Sequence, residues 1–234
     1  MESCVCVIPA RGGSKRIKRK NLKNFCGKPI LSYSLQNAQK SGIFDKILVS
    51  SDDEEILEFA KSFGVSALRR PENLSTDYSS TREVILHAIE SLEMQEVESQ
   101  DLWICCLYAT APLLDSKTLT ESFLQAKTYA SSCYCFGAVE YDYSPYRAFN
   151  IIENHNKMLF KEHFSKRSQD LEKIYHDAGQ FYFARSSVWR NRENIFEDSV
   201  SIVLPPMRVQ DIDTLEDWEL AELKFKLLAN SCRK

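Results

Sequence analysis

The sequence lacks the features of membrane proteins and of folds that depend on zinc or disulfides. No apolar run approaches the length of about 20 residues that a bilayer span needs. The chain also begins without a charged segment ahead of its first apolar stretch, so we expect no signal peptide and no membrane anchor. None of its eight cysteines forms a C-x-x-C pair, which argues against zinc. Most lie within apolar strand patterns, as buried free thiols do, and this predicts a cytoplasmic protein.

An excess of positive charge is also missing. The chain has 30 Lys and Arg against 33 Asp and Glu, a net charge of −3. Proteins that bind nucleic acids usually spread basic side chains over a large surface, so we expect no nucleic-acid partner. A local basic loop in such a chain points instead to a small anionic ligand.

The two common glycine motifs for nucleotides, G-x-x-x-x-G-K-S/T and G-x-G-x-x-G, are absent as well. A short apolar strand over residues 5–8 nevertheless runs into a glycine-containing basic loop. Its cations are Arg11, Lys15, Arg16, Lys18, Arg19 and Lys20. Gly12 and Gly13 let the backbone turn so that amides, including that of Ser14, converge on one point. Such a loop suits a polyphosphate. The alternative is a solvated basic loop.

Strand and helix patterns alternate along the chain. This predicts an α/β fold, a three-layer, mostly parallel sheet with helices on both faces. Predicted strands cover residues 5–9, 46–50, 65–68, 102–107, 133–140, 181–185 and 201–204. Predicted helices cover residues 29–41, 52–63, 81–92 and 116–129, and a last helix begins at Thr214. Asp52 is the expected cap of the second helix. We expect one α/β domain over residues 1–234.

The alternation breaks between residues 141 and 177, a stretch rich in aromatic, histidine and basic residues. No amphipathic period fits it, so the sequence predicts an inserted segment without regular structure. Ligands of open α/β sheets bind at the carboxyl ends of the strands. The loops after Pro9, Ser50, Leu68, Leu107 and Glu140 therefore form the candidate rim of the site.

Asp211 and Asp213 form a second candidate site before the last helix. In an extended segment, residues two apart point to the same side, so both carboxylates can meet one cation. Two hard carboxylates with phosphate oxygens and water would complete a Mg²⁺ shell. The alternative is that these aspartates only precede and cap the helix.

Three short segments resemble the start of the nucleotidyltransferases that activate sugars. They are residues 10–16 (ARGGSKR), 20–21 (KN) and 27–29 (GKP). More narrowly, they resemble the cytidylyltransferases that make CMP-nonulosonic acids, and the resemblance continues to Asp217. It implies a Rossmann-like fold, CTP as a substrate and Mg²⁺ held by the aspartate pair.

The resemblance also implies roles for the first half of the chain. Arg11, Lys15 and Lys20 hold the β- and γ-phosphates together with the amides of the glycine loop. Asn21 contacts the base, and Arg70, in a loop resembling R-P-x-x-L, lies over the nucleotide. Ser79 and Ser80 bond the cytosine or the triphosphate, although either serine can also cap the next helix.

Four segments of the second half resemble the pseudaminic acid branch of this family: residues 144–147 (SPYR), 160–163 (FKEH), 167–171 (RSQDL) and 175–179 (YHDAG). The sugar-binding residues so implied are Tyr108, Arg147, Lys161, Arg167, Gln169, His176, Asp177 and Gln180. Tyr108 stands where sialate synthetases usually have glutamine, which disfavours N-acetylneuraminate. Arg167 is the first choice for binding the sugar carboxylate. The segment 141–177 is expected to make a homodimer contact.

The resulting prediction is a Mg²⁺-dependent cytidylyltransferase that joins CTP and pseudaminic acid into CMP-pseudaminic acid and pyrophosphate, for glycosylation of surface glycans or flagellin. The alternatives are synthesis of CMP-N-acetylneuraminate or CMP-legionaminate, the eight-carbon 3-deoxy-manno-octulosonate reaction, or a non-catalytic nucleotide-binding module. The general base is not identified by the sequence.

Overall fold

The computed structural model describes residues 2–94 and 101–231. Its strands are β1 (Cys4–Pro9), β2 (Asn24–Phe25), β3 (Lys28–Pro29), β4 (Lys46–Ser51), β5 (Ser66–Arg69), β6 (Trp103–Leu107), β7 (Cys135–Glu140), β8 (Phe149–Ile152), β9 (His155–Met158), β10 (Tyr175–Arg185) and β11 (Val200–Val203). Its helices are α1 (Leu31–Ser41), α2 (Glu54–Ser62), α3 (Thr81–Glu93), α4 (Ser116–Tyr129), α5 (Ser186–Asn191) and α6 (Leu215–Ser231).

Seven of these strands form one sheet in the order β11-β7-β10-β6-β1-β4-β5. β1 lies inside the sheet and pairs in parallel with β4 and β6, while β5 and β11 extend the sheet in parallel pairs at its two edges. β10 runs antiparallel to both of its neighbours. The mostly parallel sheet predicted from the alternating pattern is therefore confirmed. No helix within the described ranges is long and apolar enough to cross a membrane.

Alternate side chains of β1 enter two different cores. Cys6 and Ile8 pack in a cluster with side chains of α1, α2 and α4, whereas Val7 packs in a second cluster with α3 and α5. Because the strand period is two residues, helices on both faces require a strand that is apolar throughout, as β1 is. The three-layer architecture follows from this.

A third, smaller cluster joins the glycine loop to the start of α6. Ile17 of the basic loop and Ile212 are both buried, and they pack in one cluster with Trp218 of α6. Ile212 lies between the two predicted metal-binding aspartates, and Ile17 lies among the loop cations. Their packing therefore brings the basic loop and the aspartate pair together, although the sequence separates them by almost 200 residues.

Helix caps differ from the prediction at one place. Asp53, not Asp52, caps α2, because its carboxylate accepts the amides of Glu55 and Ile56. Asp52 instead accepts the amide of Gly12 at 2.9 Å. The prediction failed because two adjacent aspartates have the same capping propensity, and only the path of the chain assigns them different partners.

The segment 141–177 contains regular structure, contrary to the prediction. β8 and β9 form an antiparallel hairpin, and short 3₁₀ turns lie on either side of it. Its last three residues belong to β10, which pairs with β7 from Tyr175 onward. The hairpin was missed because its side chains are almost all exposed, so it shows no alternation of apolar and polar residues.

Candidate active site

A cavity of about 270 Å³ opens at the carboxyl ends of β1, β5 and β6. The loops after these strands are three of the five that were predicted to form the rim. The cavity is lined by Pro9, Arg11, Ser14, Lys15, Arg16, Ile17, Lys20, Asn21, Arg70, Ser79, Thr81, Val84, Tyr108, Ala109, Thr110 and Asp213. Five cations and one carboxylate are among them, so the cavity favours a polyanion. We call it the first cavity.

The glycine loop enters this cavity under a steric constraint at Gly12. A Cβ atom at Gly12 would lie 2.6 Å from Asp53 Oδ2, whereas one at Gly13 would meet nothing within 4 Å. Gly12 is thus required by close contact with the start of α2. The amides of Gly12 and Ser14 donate to Asp52 and to the Gly12 carbonyl, at 2.9 Å each. Phosphate binding through these two amides therefore requires them to change partners.

Two carboxylates contact the loop cations that line the cavity. Asp77 pairs with Arg11 at 2.5 Å and also with Lys15. Asp213 lies 3.0 Å from Arg16 and 3.8 Å from Lys20. These pairs place the cations side by side on the cavity wall.

Lys20 is fixed more firmly than the other loop cations. Its ammonium donates to the Ile212 carbonyl at 2.7 Å, and burial lowers its pKa while Asp213 and Asp211 oppose that shift. The contact ties the basic loop to the backbone between the two aspartates.

Asp211 and Asp213 do not cap α6, which was the alternative role considered for them. Asp217 forms a reciprocal cap with Thr214, and its carboxylate also accepts the amide of Asp213 at 3.1 Å. Asp213 lines the first cavity. Burial raises the pKa of Asp211, and the negative charge of Asp213 raises it further. Two carboxylates that repel each other in this way suit a divalent cation between them.

Three of the predicted base-side residues, Asn21, Arg70 and Ser79, line the same cavity. Asn21 is buried, and its amide donates to the Arg11 carbonyl at 2.9 Å. Arg70 is only 5% exposed and donates to the Ser50 carbonyl at 2.8 Å. Ser80 forms a capping box with Glu83 at the start of α3, as its alternative reading predicted.

A second cavity of about 630 Å³ adjoins the first. Thr81 and Tyr108 line both cavities, and their hydroxyl groups lie 3.0 Å apart. The second cavity is lined by Ser80, Thr81, Arg82, Glu83, Tyr108, Asp177, Tyr182, Glu193, Ile195 and Phe196. Two of the predicted sugar-binding residues, Tyr108 and Asp177, are thus brought together beside the first cavity.

The Asp177 carboxylate is held on two sides. It accepts a hydrogen bond from the Tyr182 hydroxyl and another, at 3.0 Å, from the amide of Gly179. Gly179 has φ +60°, in the region that favours glycine, and the pairing of β10 with β7 shifts register between Asp177 and Tyr182. The irregularity lets the strand turn Asp177 toward the cavity without losing its place in the sheet.

Both tyrosines of this cavity remain hydrogen-bond donors at neutral pH. Burial raises the pKa of Tyr108 to about 12 and raises that of Tyr182 as well. Gln180 is buried. Its backbone carbonyl accepts the backbone amide of Tyr108 at 2.8 Å, and its side-chain amide donates to the Arg208 carbonyl at 2.6 Å. Gln180 therefore positions the Tyr108 loop and does not line either cavity.

The other predicted sugar-binding residues lie on the segment 141–177, outside both cavity linings. All five are exposed there: Arg147, Lys161, Arg167, Gln169 and His176. Arg167 pairs with Asp170 at 2.8 Å, and Arg147 donates to carbonyls of the same segment. Their role in binding the sugar stays a prediction.

Sequence reasoning missed Thr81, Tyr182 and Glu193 as residues of the site. Tyr182 lies in β10 opposite Cys106 of β6, between two buried phenylalanines. The strand period alone places it on the face opposite to theirs, which is the signal that identifies it. Thr81 and Glu193 belong to segments that only the tertiary fold brings together.

Residues 5–216 match the family model described as "Cytidylyltransferase". The chain belongs to the cytidylyltransferase family. A pseudaminic acid cytidylyltransferase of Campylobacter jejuni is 48% identical over 229 residues, which cover 95% of this chain and 96% of that protein. A Helicobacter pylori protein named for the same activity and for a hydrolase activity is 36% identical, over 95% of this chain and 42% of that protein. An N-acylneuraminate cytidylyltransferase of Escherichia coli is 29% identical, over 93% of this chain and 51% of that protein.

Solved structures share the fold of this cytidylyltransferase. One is a CMP-2-keto-3-deoxy-manno-octonic acid synthetase complexed with CTP, with a TM-score of 0.69 and 16% identity over 98% of this chain and 99% of that one. A 4-diphosphocytidyl-2C-methyl-D-erythritol synthase has a TM-score of 0.70 at 13% identity, over 96% of this chain and 99% of that one. At such low identity the likeness establishes the fold alone.

Proposed function

We propose that this cytidylyltransferase transfers CMP from CTP to pseudaminic acid and releases pyrophosphate. The observation that carries the proposal is the shared wall of Thr81 and Tyr108 between a cationic cavity and a larger polar one. A polyanionic nucleotide and a hydroxyl-rich acceptor placed there lie next to each other. The 48% identical relative from C. jejuni supports pseudaminic acid as that acceptor.

The triphosphate of CTP would bind to the cations of the first cavity. Arg11 and Lys15 would take the β- and γ-phosphates, and Lys20 would lie at the aspartate end of the same loop. The buried side chains of Asn21 and Arg70 would form the wall that meets the cytidine. Because these two side chains are already fixed by carbonyl contacts, they would recognise the nucleoside with little ordering on binding.

The residues at the start of α6 fit a magnesium ion. Asp211 and Asp213 would supply two hard oxygen ligands. Burial and, next, the negative charge of Asp213 raise the pKa of Asp211, and a divalent cation would offset both effects. Within the described ranges no third metal-ligating side chain joins them, so phosphate oxygens and water would complete the shell. When bound there, Mg²⁺ would neutralise phosphate charge and polarise the phosphorus that is attacked.

The second cavity would hold the acceptor sugar. Its carboxylates, Asp177, Glu83 and Glu193, accept hydrogen bonds from hydroxyl and amide groups. The cation in its described lining, Arg82, already donates to the Trp189 carbonyl at 2.8 Å and to the Arg190 carbonyl. The hydroxyl and amide groups of the sugar would therefore face this cavity, while its own carboxylate would face cations elsewhere.

The protein's share of the chemistry is positioning and charge neutralisation. The anomeric hydroxyl of the acceptor would attack the α-phosphorus of CTP and release its proton to water, while the bond to the bridging oxygen breaks and pyrophosphate leaves. Thr81 and Tyr108 would orient the acceptor at the junction. Arg11, Lys15 and Lys20 would hold the leaving pyrophosphate.

We propose further that the active enzyme is a homodimer formed through the segment 141–177. Several large apolar side chains of this segment are exposed, among them Tyr143 at 89%, Ile151 at 71% and Phe164 at 68%. A concentration of exposed apolar area of this kind marks an interaction surface. Arg167 or Lys161 would then approach the acceptor of the partner subunit, which explains why neither lines a cavity of its own subunit.

We place the enzyme in the cytoplasm and treat residues 1–234 as a single functional domain with this segment as an insertion. The free cysteines support the cytoplasmic location. Cys4, Cys6, Cys105 and Cys106 are free thiols in neighbouring central strands, and such thiols persist in a reducing compartment.

The decisive experiment measures pyrophosphate release from CTP and Mg²⁺ with a panel of nonulosonic acids. We expect the highest kcat/KM with pseudaminic acid. A preference for N-acetylneuraminate or legionaminate would transfer the chain to the alternative substrate, which the 29% identical relative from E. coli represents. CTP binding without pyrophosphate release from any acceptor would identify a nucleotide-binding module instead.

A further inference from the structure

Asp77 contacts two cations of the glycine loop from a distant part of the chain. One carboxylate oxygen lies 2.5 Å from Arg11 Nη1, and the other pairs with Lys15. The three side chains thus form a bridge in which a single carboxylate serves both cations. These two cations lower the pKa of Asp77, so it carries a full negative charge at neutral pH.

Asp213 makes a similar bridge between Arg16 and Lys20. The two carboxylates therefore compensate four of the five cations that line the first cavity. Binding of a nucleotide with Mg²⁺ would change the partners of these two carboxylates in different ways. Asp213 would exchange its cations for the metal and keep a favourable partner, whereas Asp77 would face the triphosphate with no new partner.

We infer that Asp77 is a positioning residue which holds Arg11 and Lys15 as a preformed anion site and competes with the triphosphate for them. The inference rests on the proposed placement of CTP in the first cavity. As the β- and γ-phosphates bind, Asp77 gives up both cations. As pyrophosphate leaves, it takes them back, which favours release of that product.

The loop that carries Asp77 is largely exposed and buries little apolar surface. It connects the 3₁₀ turn Glu72–Leu74 to α3, and its tip residue Tyr78 is 96% exposed. The loop is held by short-range polar contacts, such as the one of 3.0 Å between the hydroxyls of Thr76 and Ser79. Segments that bury little apolar surface open at low free energy. Ser79 lines the first cavity, so movement of Asp77 would also change the cavity wall.

The test compares Asp77→Asn with Glu93→Gln. Glu93 lies at the other end of α3 and pairs with Arg190 at 2.6 Å, so its variant also removes one exposed ion pair, but far from the cavity. Calorimetry without acceptor sugar measures the affinity of each protein for CTP, pyrophosphate and CMP in the presence of Mg²⁺. Asp77→Asn should bind CTP and pyrophosphate about three- to tenfold more tightly, the range expected for loss of competing surface ion pairs.

CMP provides the internal control, because it lacks the β- and γ-phosphates. Its affinity should not change in Asp77→Asn, and Glu93→Gln should leave all three affinities unchanged. Asp77→Ala should repeat the effect of Asp77→Asn, and melting curves establish that each variant is folded.

Unchanged or weaker binding of CTP and pyrophosphate by both folded Asp77 variants would overturn the inference, since Asp77 would then support the bound triphosphate. An equal gain for CMP would also overturn it, because the effect would be one of general charge. If the unaltered protein binds no CTP at all, the proposed function itself fails.

Discussion

At the scale of single residues, the three aspartates near the start of α6 have two different roles: one caps the helix, and the other two are the proposed ligands of a cation. Asp217 accepts the backbone amides of Asp213 and Thr214, at 3.1 and 2.7 Å, and so completes the helix cap. Asp213 faces Arg16 and Lys20 instead. Because capping is assigned to Asp217, Asp211 and Asp213 are free for cation binding, and the two tasks can be separated by mutation.

Asp211→Ala and Asp213→Ala should each lower pyrophosphate release by at least about 100-fold, since a charge-stabilising group at the reacting phosphate is lost. Both variants should keep the melting temperature of the unaltered protein within a few degrees. Asp217→Asn is the matched control: loss of a cap costs about 1 kcal/mol of stability, while turnover at low temperature is retained. Near-normal rates for both alanine variants in Mg²⁺ would remove these residues from the metal site.

A second residue-scale prediction concerns Tyr182, whose hydroxyl holds Asp177. Tyr182→Phe removes only that hydroxyl, so Asp177 loses one of its two fixed partners. We expect the KM for the acceptor sugar to rise severalfold, while the KM for CTP stays unchanged. Steady-state kinetics with each substrate varied in turn gives both values.

Tyr33→Phe is the control for this prediction. Tyr33 is buried in the third cluster, its hydroxyl donates to the Phe25 carbonyl at 2.7 Å, and neither residue lines the first or the second cavity. This variant should lose stability but show no change in either KM. Equal rises of both KM values in Tyr182→Phe would contradict a specific role at the acceptor.

At the scale of elements, the junction of the glycine loop with α2 limits what the loop can carry. A Cβ at Gly12 would approach Asp53 Oδ2 to 2.6 Å and Asp53 Cβ to 2.7 Å, and Asp53 is the cap of α2. Gly12→Ala should therefore lower the free energy of unfolding by about 1–3 kcal/mol and weaken CTP binding. Gly13→Ala meets no atom within 4 Å and should be stable. Thermal melting and CTP titration of this pair test the argument, which equal stability of the two variants would refute.

The sequence predicts elements well where local and global signals agree. α4 was predicted with its observed bounds because an amphipathic pattern follows Asp115, which caps the helix. The first strand and its basic loop were identified because an apolar run and a cluster of cations are contiguous in the chain. The exposed β8–β9 hairpin was not, since strands without a buried face carry no period.

The residues of the site show the same contrast between what is contiguous in the chain and what is not. Much of the lining of the first cavity was singled out in the sequence, because seven of its residues come from the continuous loop after β1. The second cavity joins Thr81, Tyr108, Asp177 and Glu193, which lie on four separate segments. Only the order of strands in the sheet, with β10 inserted between β6 and β7, brings these segments together.

At the scale of the whole molecule, charge and apolar surface are distributed unevenly. The net charge is −3, yet five cations converge on the first cavity. Exposed apolar side chains are concentrated in the segment 141–177. The cations of this segment, Arg167 among them, are outside both cavities of their own subunit. A twofold dimer, the commonest symmetric assembly, would cover the apolar surface and bring these cations to the partner's acceptor.

The shared site predicts complementation between two inactive variants. Arg167→Ala lacks the cation that, in the proposed dimer, one subunit would supply to its partner's sugar, and Asp211→Ala lacks a proposed metal ligand of its own site. In a mixed dimer, the Arg167→Ala subunit retains both aspartates and receives Arg167 from the Asp211→Ala subunit, so one of the two sites is intact. Random exchange makes about half of the dimers mixed, and activity should return toward a quarter of that of the unaltered protein. Light scattering gives the oligomeric state, and exchange is followed with differently tagged subunits. A monomer at working concentration, or no recovery after demonstrated exchange, would place the whole acceptor site within one chain.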